Sequence, residues 1–349
     1  MRRIWALMLV SGLLITLPGQ APSGAATGPS LPSVGVQFHG LWSDYTARQR
    51  IRVLDKMAAA GVRWVRIDMG WSSLQEDGPR RFSQWYIDRA DSVIDAARDR
   101  GLKVLATLWA TPRWANGGRS RAVPPDNPLA YGRIAHWAAD HFKGRVDAWE
   151  IWNEPNHDHF FKGSAATYAA LLKVAYLNIR LGDPEARVVL GGPCNNDDIW
   201  LEKVYRAGAA GSFDVMATHP YQGFADAPPE TPDDGSIYTL RHVAAVRALM
   251  KRYGDAAKPI WFTEFGWSAH ENSPRLDNWE RGVTLRQQAR FLVRTIDLVA
   301  EEYPYVENIF WYNERDRDTG NIQVDNYGLL RRDLTSKPAF RALRRRLTS

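Results

Sequence analysis

At 349 residues, 45% hydrophobic and 24% charged, the chain is globular in composition and long enough for one large domain or two medium ones. This balance excludes a disordered or fibrous protein. The formal net charge of +6 and pI ≈ 9.4 are basic, but part of the excess sits in Arg2, Arg3 and the tail "RALRRRLTS". No nucleic-acid motif accompanies that tail, so nucleic acid is not an expected partner.

The chain opens with Arg2 and Arg3, an apolar run from Ile4 to Leu17, and small residues up to Ala26. This order predicts a secretory signal peptide over residues 1 to 26. The run is short of the roughly twenty residues a spanning helix needs, so stable membrane insertion is not expected. Loss of Arg2 and Arg3 with the signal would lower the charge from +6 to +4. Cys194 is the only cysteine, which leaves no intramolecular disulfide and no lipidation site after the apolar run. The expectation is a monomeric, soluble mature protein, secreted or retained at the cell surface.

Eight short β-rich segments follow in order: residues 34 to 40, 64 to 71, 103 to 109, 148 to 155, 187 to 193, 213 to 221, 259 to 267 and 306 to 314. Helical spacings separate them, as in Ile51, Leu54, Ala58 before Gly61, or Val93, Ile94, Ala97 before Gly101. Eight such βα units predict an α/β fold, a single-domain (β/α)8 TIM barrel over residues 31 to 349. A doubly wound sheet is the rival, but "FHGLWSDY" after the first strand has no G-x-G turn. The proline-rich stretches 121 to 128 and 226 to 235 read as loops after the third and sixth strands.

In a barrel of this kind the C-terminal strand ends carry the chemistry. The fourth segment, "AWEIWNEPN", ends on Asn153, Glu154 and Pro155. Proline stops ladder pairing and is expected to hold Glu154 in extended geometry. On the seventh segment, alternation puts Ile260, Phe262 and Glu264 on one face, directed into the barrel. Either glutamate alone reads as a paired surface group; two at matching strand ends read as a catalytic pair. The remaining ends, His39, Arg66, Asp68, Trp109, His219, Tyr221, Trp267, Trp311 and Asn313, are aromatic and polar. Sugars suit such a lining, because they present apolar C–H faces and many hydroxyls. Trp64 and Trp149, inside their strands, are expected to fill core.

"EIWNEPN" together with "TEFGW" resembles the clan A retaining glycoside hydrolases, most closely family 39 and its bacterial exopolysaccharide endoglycosidases, with family 5 near. The resemblance spans nearly the whole mature chain. It implies a glycosidase with Glu154 as general acid/base and Glu264 as nucleophile. It also implies Asn153 on the hydroxyl next to the reacting carbon, Arg66 and Tyr221 holding Glu264 ionised, His219 lining the subsite and Trp311 as its stacking floor. His39, Trp109 and Trp267 are placed in the substrate pocket. The implied partner is an oligo- or polysaccharide. No cofactor or metal is implied: His39 stands alone on its strand, and "NHDHF" at 156 to 160 has no second cluster. A non-catalytic carbohydrate-binding barrel is the alternative function. Arg113, Arg119 and Arg121 could meet an anionic glycan, or be plain solvated charge.

Overall fold

The computed structural model describes residues 30–349; the expected signal peptide lies outside them. Eight parallel strands form the sheet: β1 (Ser33–Gln37), β2 (Trp64–Gly70), β3 (Lys103–Trp109), β4 (Ala148–Ile151), β5 (Arg187–Leu190), β6 (Met216–Thr218), β7 (Ile260–Phe265) and β8 (Val306–Trp311). Each of the first four pairs with its successor, β1 pairs with β8, and β8, β7 and β6 follow in turn. A bridge between Val189 and Val215 joins β5 to the start of β6. The result is a (β/α)8 TIM barrel.

Strand alternation divides the apolar residues into two cores. Trp64, Leu105, Ala148, Val189, Val215, Ala217, Trp261 and Phe310 fill the barrel interior. Gly35 makes room for them, since a Cβ there would lie 2.4 Å from the Phe310 ring. Their neighbours along each strand, including Val65, Ile67, Trp149 and Ile151, face outward and pack with the helices. Helices start where the side chains of Thr46, Ser164 and Thr284 accept from backbone amides of the first turn. Gly61 and Gly101, at φ +83° and +69°, follow the helices Ala47–Ala59 and Gln84–Arg98. Among the described residues no helix is long and apolar enough to cross a membrane.

Two local expectations are corrected. β4 stops at Ile151, and Glu154 is not extended: Trp152 and Glu154 have φ of 73° and 42°. There the Glu154 amide donates to the Gly192 carbonyl at 3.1 Å, carrying the chain across to the end of β5. In β7 it is Trp261 that points inward, while Ile260 and Phe262 face the helices. The β7–β8 register shifts between Phe262 and Phe265, an irregularity that re-aims Glu264 towards the barrel mouth.

Candidate active site

Arg66, on the inward face of β2, is fully buried and organises the mouth. Its Nε donates to Glu150 Oε2 at 2.6 Å, one terminal nitrogen to Gln37 Oε1 (2.7 Å) and Glu264 Oε1 (2.6 Å), the other to Asn153 Oδ1 (2.7 Å). Thr107 Oγ1 donates to Glu150 at 2.6 Å. Burial disfavours the Arg66 charge, but Glu150 and Glu264 outweigh it and hold the guanidinium protonated. Burial likewise pushes Glu150 up, and Arg66 with His219 pulls it below the usual carboxylate range.

The two glutamates meet across this hub. Carboxylate oxygens of Glu154 and Glu264 and a ring nitrogen of His219 all lie within 4.8 Å of one another. Tyr221 donates its hydroxyl proton to Glu264 Oε2 at 3.0 Å, so both Glu264 oxygens accept hydrogen bonds. His219 Nδ1 is 2.9 Å from Glu154 Oε1, and Nε2 is 3.0 Å from Thr263 Oγ1. Gly192 lets the ring lie there, since a Cβ would come within 2.6 Å of it. Burial, with Glu154 adding to it, raises the Glu264 carboxyl above the usual carboxylate range against the opposing pull of His219 and Arg66. Burial favours a neutral His219 ring, but Glu264 and the Glu154 hydrogen bond raise its proton affinity above the ordinary value.

The structure thus brings Glu154, Glu264, Asn153, Arg66, Tyr221 and His219 together. His219 is fully buried beneath Glu154, so it holds that carboxyl group in place and does not line an open sugar subsite. Trp311 is not a stacking floor: it is 0% exposed, donates to the Tyr327 carbonyl, and packs with Phe265 and Trp267. Phe310 faces the barrel interior, so alternation sends Trp311 to the helix layer. Tyr312, one residue on, is half-buried at the mouth, edge-on to His39 at 5.7 Å and to Tyr327 at 5.4 Å. Trp267, 3% exposed with its indole donating to Ala227 O, is core and not pocket. His39 is at the mouth with Nδ1 3.0 Å from Glu314 Oε2 and Trp42 against its ring. Trp109 is partly buried beside Phe160 of the loop after β4, with the Arg121 guanidinium 5.8 Å from its ring centroid.

Four participants escape the sequence reading: Gln37, Glu150, Glu314 and Tyr312. Glu150 carried a usable signal, because an acid within an apolar inward-facing register needs a buried cation, and among the described residues Arg66 is the one arginine central to a strand. Glu314 accepts from Tyr45 (2.7 Å) and is held below the usual range by His39 despite burial. Glu154, His219 and Glu264 offer three donor atoms within metal-binding reach. They suit a dication poorly, since Arg66 already puts a positive charge 2.6 Å from Glu264 and both His219 nitrogens are engaged.

A buried Arg-anchored carboxylate facing a second carboxylate at a barrel mouth defines a clan A glycoside hydrolase site. The family model "Cellulase (glycosyl hydrolase family 5)" matches residues 25–315, and the chain belongs to that family. A β-xylosidase of Caldicellulosiruptor saccharolyticus is 26% identical over 313 residues, covering 80% of this chain and 59% of that protein. The anti-sigma-I factor RsgI6 of Acetivibrio thermocellus is 22% identical over 77% of this chain and 33% of its own length. The chain therefore spans between a third and three-fifths of these relatives. A family 39 glycoside hydrolase of Bacteroides cellulosilyticus WH2 superposes with TM-score 0.74 at 22% identity, over 91% of this chain and 64% of that one. A family 5 enzyme, GH5_18, of Streptomyces cattleya gives 0.70 at 19% identity, over 92% and 80%.

Proposed function

We propose that this protein is an exported glycosidase that cleaves an oligo- or polysaccharide by double displacement through a covalent glycosyl-enzyme. The carrying observation is the Glu154–Glu264 approach within 4.8 Å. Retaining enzymes hold their carboxyl groups about 5–5.5 Å apart, whereas inverting ones need roughly 6.5–9.5 Å to admit water.

Glu264, fixed through both oxygens by Arg66 and Tyr221, attacks the anomeric carbon as the bond to the leaving oxygen breaks. Glu154 gives that oxygen its proton, so the alcohol departs neutral. Esterification removes the Glu264 charge. Glu154, now a carboxylate beside a neutral ester, accepts a proton from water, whose oxygen forms the new anomeric bond and frees Glu264. Asn153, with Oδ1 held by Arg66, keeps its Nδ2 as a donor for a sugar hydroxyl. The residues 1 to 26 support export.

The test is turnover of purified plant and bacterial polysaccharides and aryl glycosides, with early products followed by NMR. Net retention of anomeric configuration is expected. Inversion, or binding of glycans without any turnover, overturns the proposal, the latter in favour of a lectin.

A further inference from the structure

A trough of about 680 Å3 opens beside the two glutamates, between the loops that follow β5, β6, β7 and β8. Its inner end is the catalytic site itself: Tyr221, which donates to Glu264, and Tyr327 both line it. At its outer end stand Phe224, Tyr238 and Trp279, exposed by 56%, 52% and 55%. Single exposed aromatics are ordinary; three converging on one trough are not.

These aromatics are held in place by ties between loops. The Ala225 amide donates to Asn278 O at 2.9 Å, and Asp226 pairs with Arg281 at 3.0 Å, joining the β6 loop to the β7 loop. Gln323 of the β8 loop donates its side-chain amide to Trp279 O. Gly223 donates to Tyr238 O at 2.9 Å, setting Tyr238 beside Phe224. Asp277 and Glu280 cap the short turn that carries Trp279. An aromatic fixed by its neighbours loses little freedom on binding, which is what a recognition platform requires. Polar groups of Asn195, Asp234 and Ser236 lie along the same walls. Flat aromatic faces with hydrogen-bonding groups between them fit a pyranose chain better than a uniformly apolar ligand or a protein helix.

We propose that this trough is an extension subsite that holds further sugar units of the glycan cleaved at Glu154 and Glu264, with Trp279 and Tyr238 as stacking faces. The inference rests on the glycosidase reading and deepens it: the substrate is a chain continuing past the cleaved bond, not a lone monosaccharide glycoside.

The experiment compares wild type, Trp279→Ala, Tyr238→Ala and the double variant. Glycosyl fluorides of xylose, glucose and mannose probe the catalytic centre alone, since fluoride leaves nothing in the trough. Xylotetraose, cellotetraose and mannotetraose probe the trough. On the tetrasaccharide of the accepted series each single variant is expected to raise KM about 3- to 10-fold, more in the double variant, with the fluoride kinetics unchanged. Equal losses on fluoride and tetrasaccharide, or no loss on either, overturn the subsite. Calorimetric binding of the three tetrasaccharides to Glu264→Ala, with and without Trp279→Ala, reads the trough independently of turnover. Tetrasaccharide binding weakened by Trp279→Ala in a wild type that hydrolyses nothing would sink the glycosidase reading and keep the trough. Turnover with no tetrasaccharide binding sensitive to Trp279 would do the reverse.

Discussion

Arg66 reaches Glu264 at 2.6 Å with one terminal nitrogen while its Nε holds Glu150 at the same distance, so one buried cation serves two buried carboxylates. Removing it leaves both acids without their charge partner. Arg66→Met is expected to destabilise the fold by about 3–5 kcal/mol and to lower kcat/KM by at least about 100-fold through misplacement of Glu264. Adding Glu150→Gln should recover part of the stability and none of the activity, as read by denaturant unfolding and by kinetics.

The two glutamates should fail differently. Glu154→Ala is expected to suffer least with an activated aryl leaving group that needs no proton, and azide should restore part of its deglycosylation. Glu264→Ala forms no covalent intermediate, so a good leaving group should not rescue retaining turnover. Identical or exchanged responses in the two variants would contradict the assigned roles.

His219 acts through its neighbours. When protonated it joins Arg66 in opposing the burial that raises the proton affinity of Glu264. His219→Gln should therefore raise the Glu264 pKa and move the acidic limb of the kcat/KM profile to higher pH. A uniform drop in rate with no shift of that limb would mark a purely structural residue.

Adjacent residues at the end of β8 should separate stability from activity. Trp311, fully buried among Phe265 and Trp267, should cost about 3–5 kcal/mol as Trp311→Ala. Tyr312→Ala, half-buried beside His39, should leave Tm nearly unchanged and reduce kcat/KM. Thermal melts and steady-state kinetics on the same preparations check both.

Glu314 is held below its unfolded value of roughly 4.3, overcoming burial through His39 and Tyr45. Its stabilisation is thus complete above that value and is lost as pH falls through the lower folded-state value, where the unfolded chain binds the extra proton. In Glu314→Gln the Tm deficit relative to wild type should be largest near neutral pH and shrink below about pH 4.

The eight-unit alternation and the strand ends that bring Glu154 and Glu264 together were legible in the residues. Each depends on local periodicity and on where a parallel barrel places the ends of its strands. What alternation could not supply was the direction of side chains beyond a strand's regular end. The positive φ of Glu154 and the shifted register before Phe265 reset the facing of both glutamates. A one-residue offset likewise sent Trp311 to the helix layer and brought Tyr312 to the mouth. The Arg66 hub and the trough lay beyond reach for a related reason. Gln37 from β1, Glu150 and Asn153 from β4 and its end, and Glu264 from β7 meet Arg66, and Phe224, Tyr238 and Trp279 converge from two loops. Sequence periodicity specifies which face of an element a residue occupies. Only closure of the barrel decides which faces meet, because contacts between distant segments depend on register and loop ties that no local spacing records.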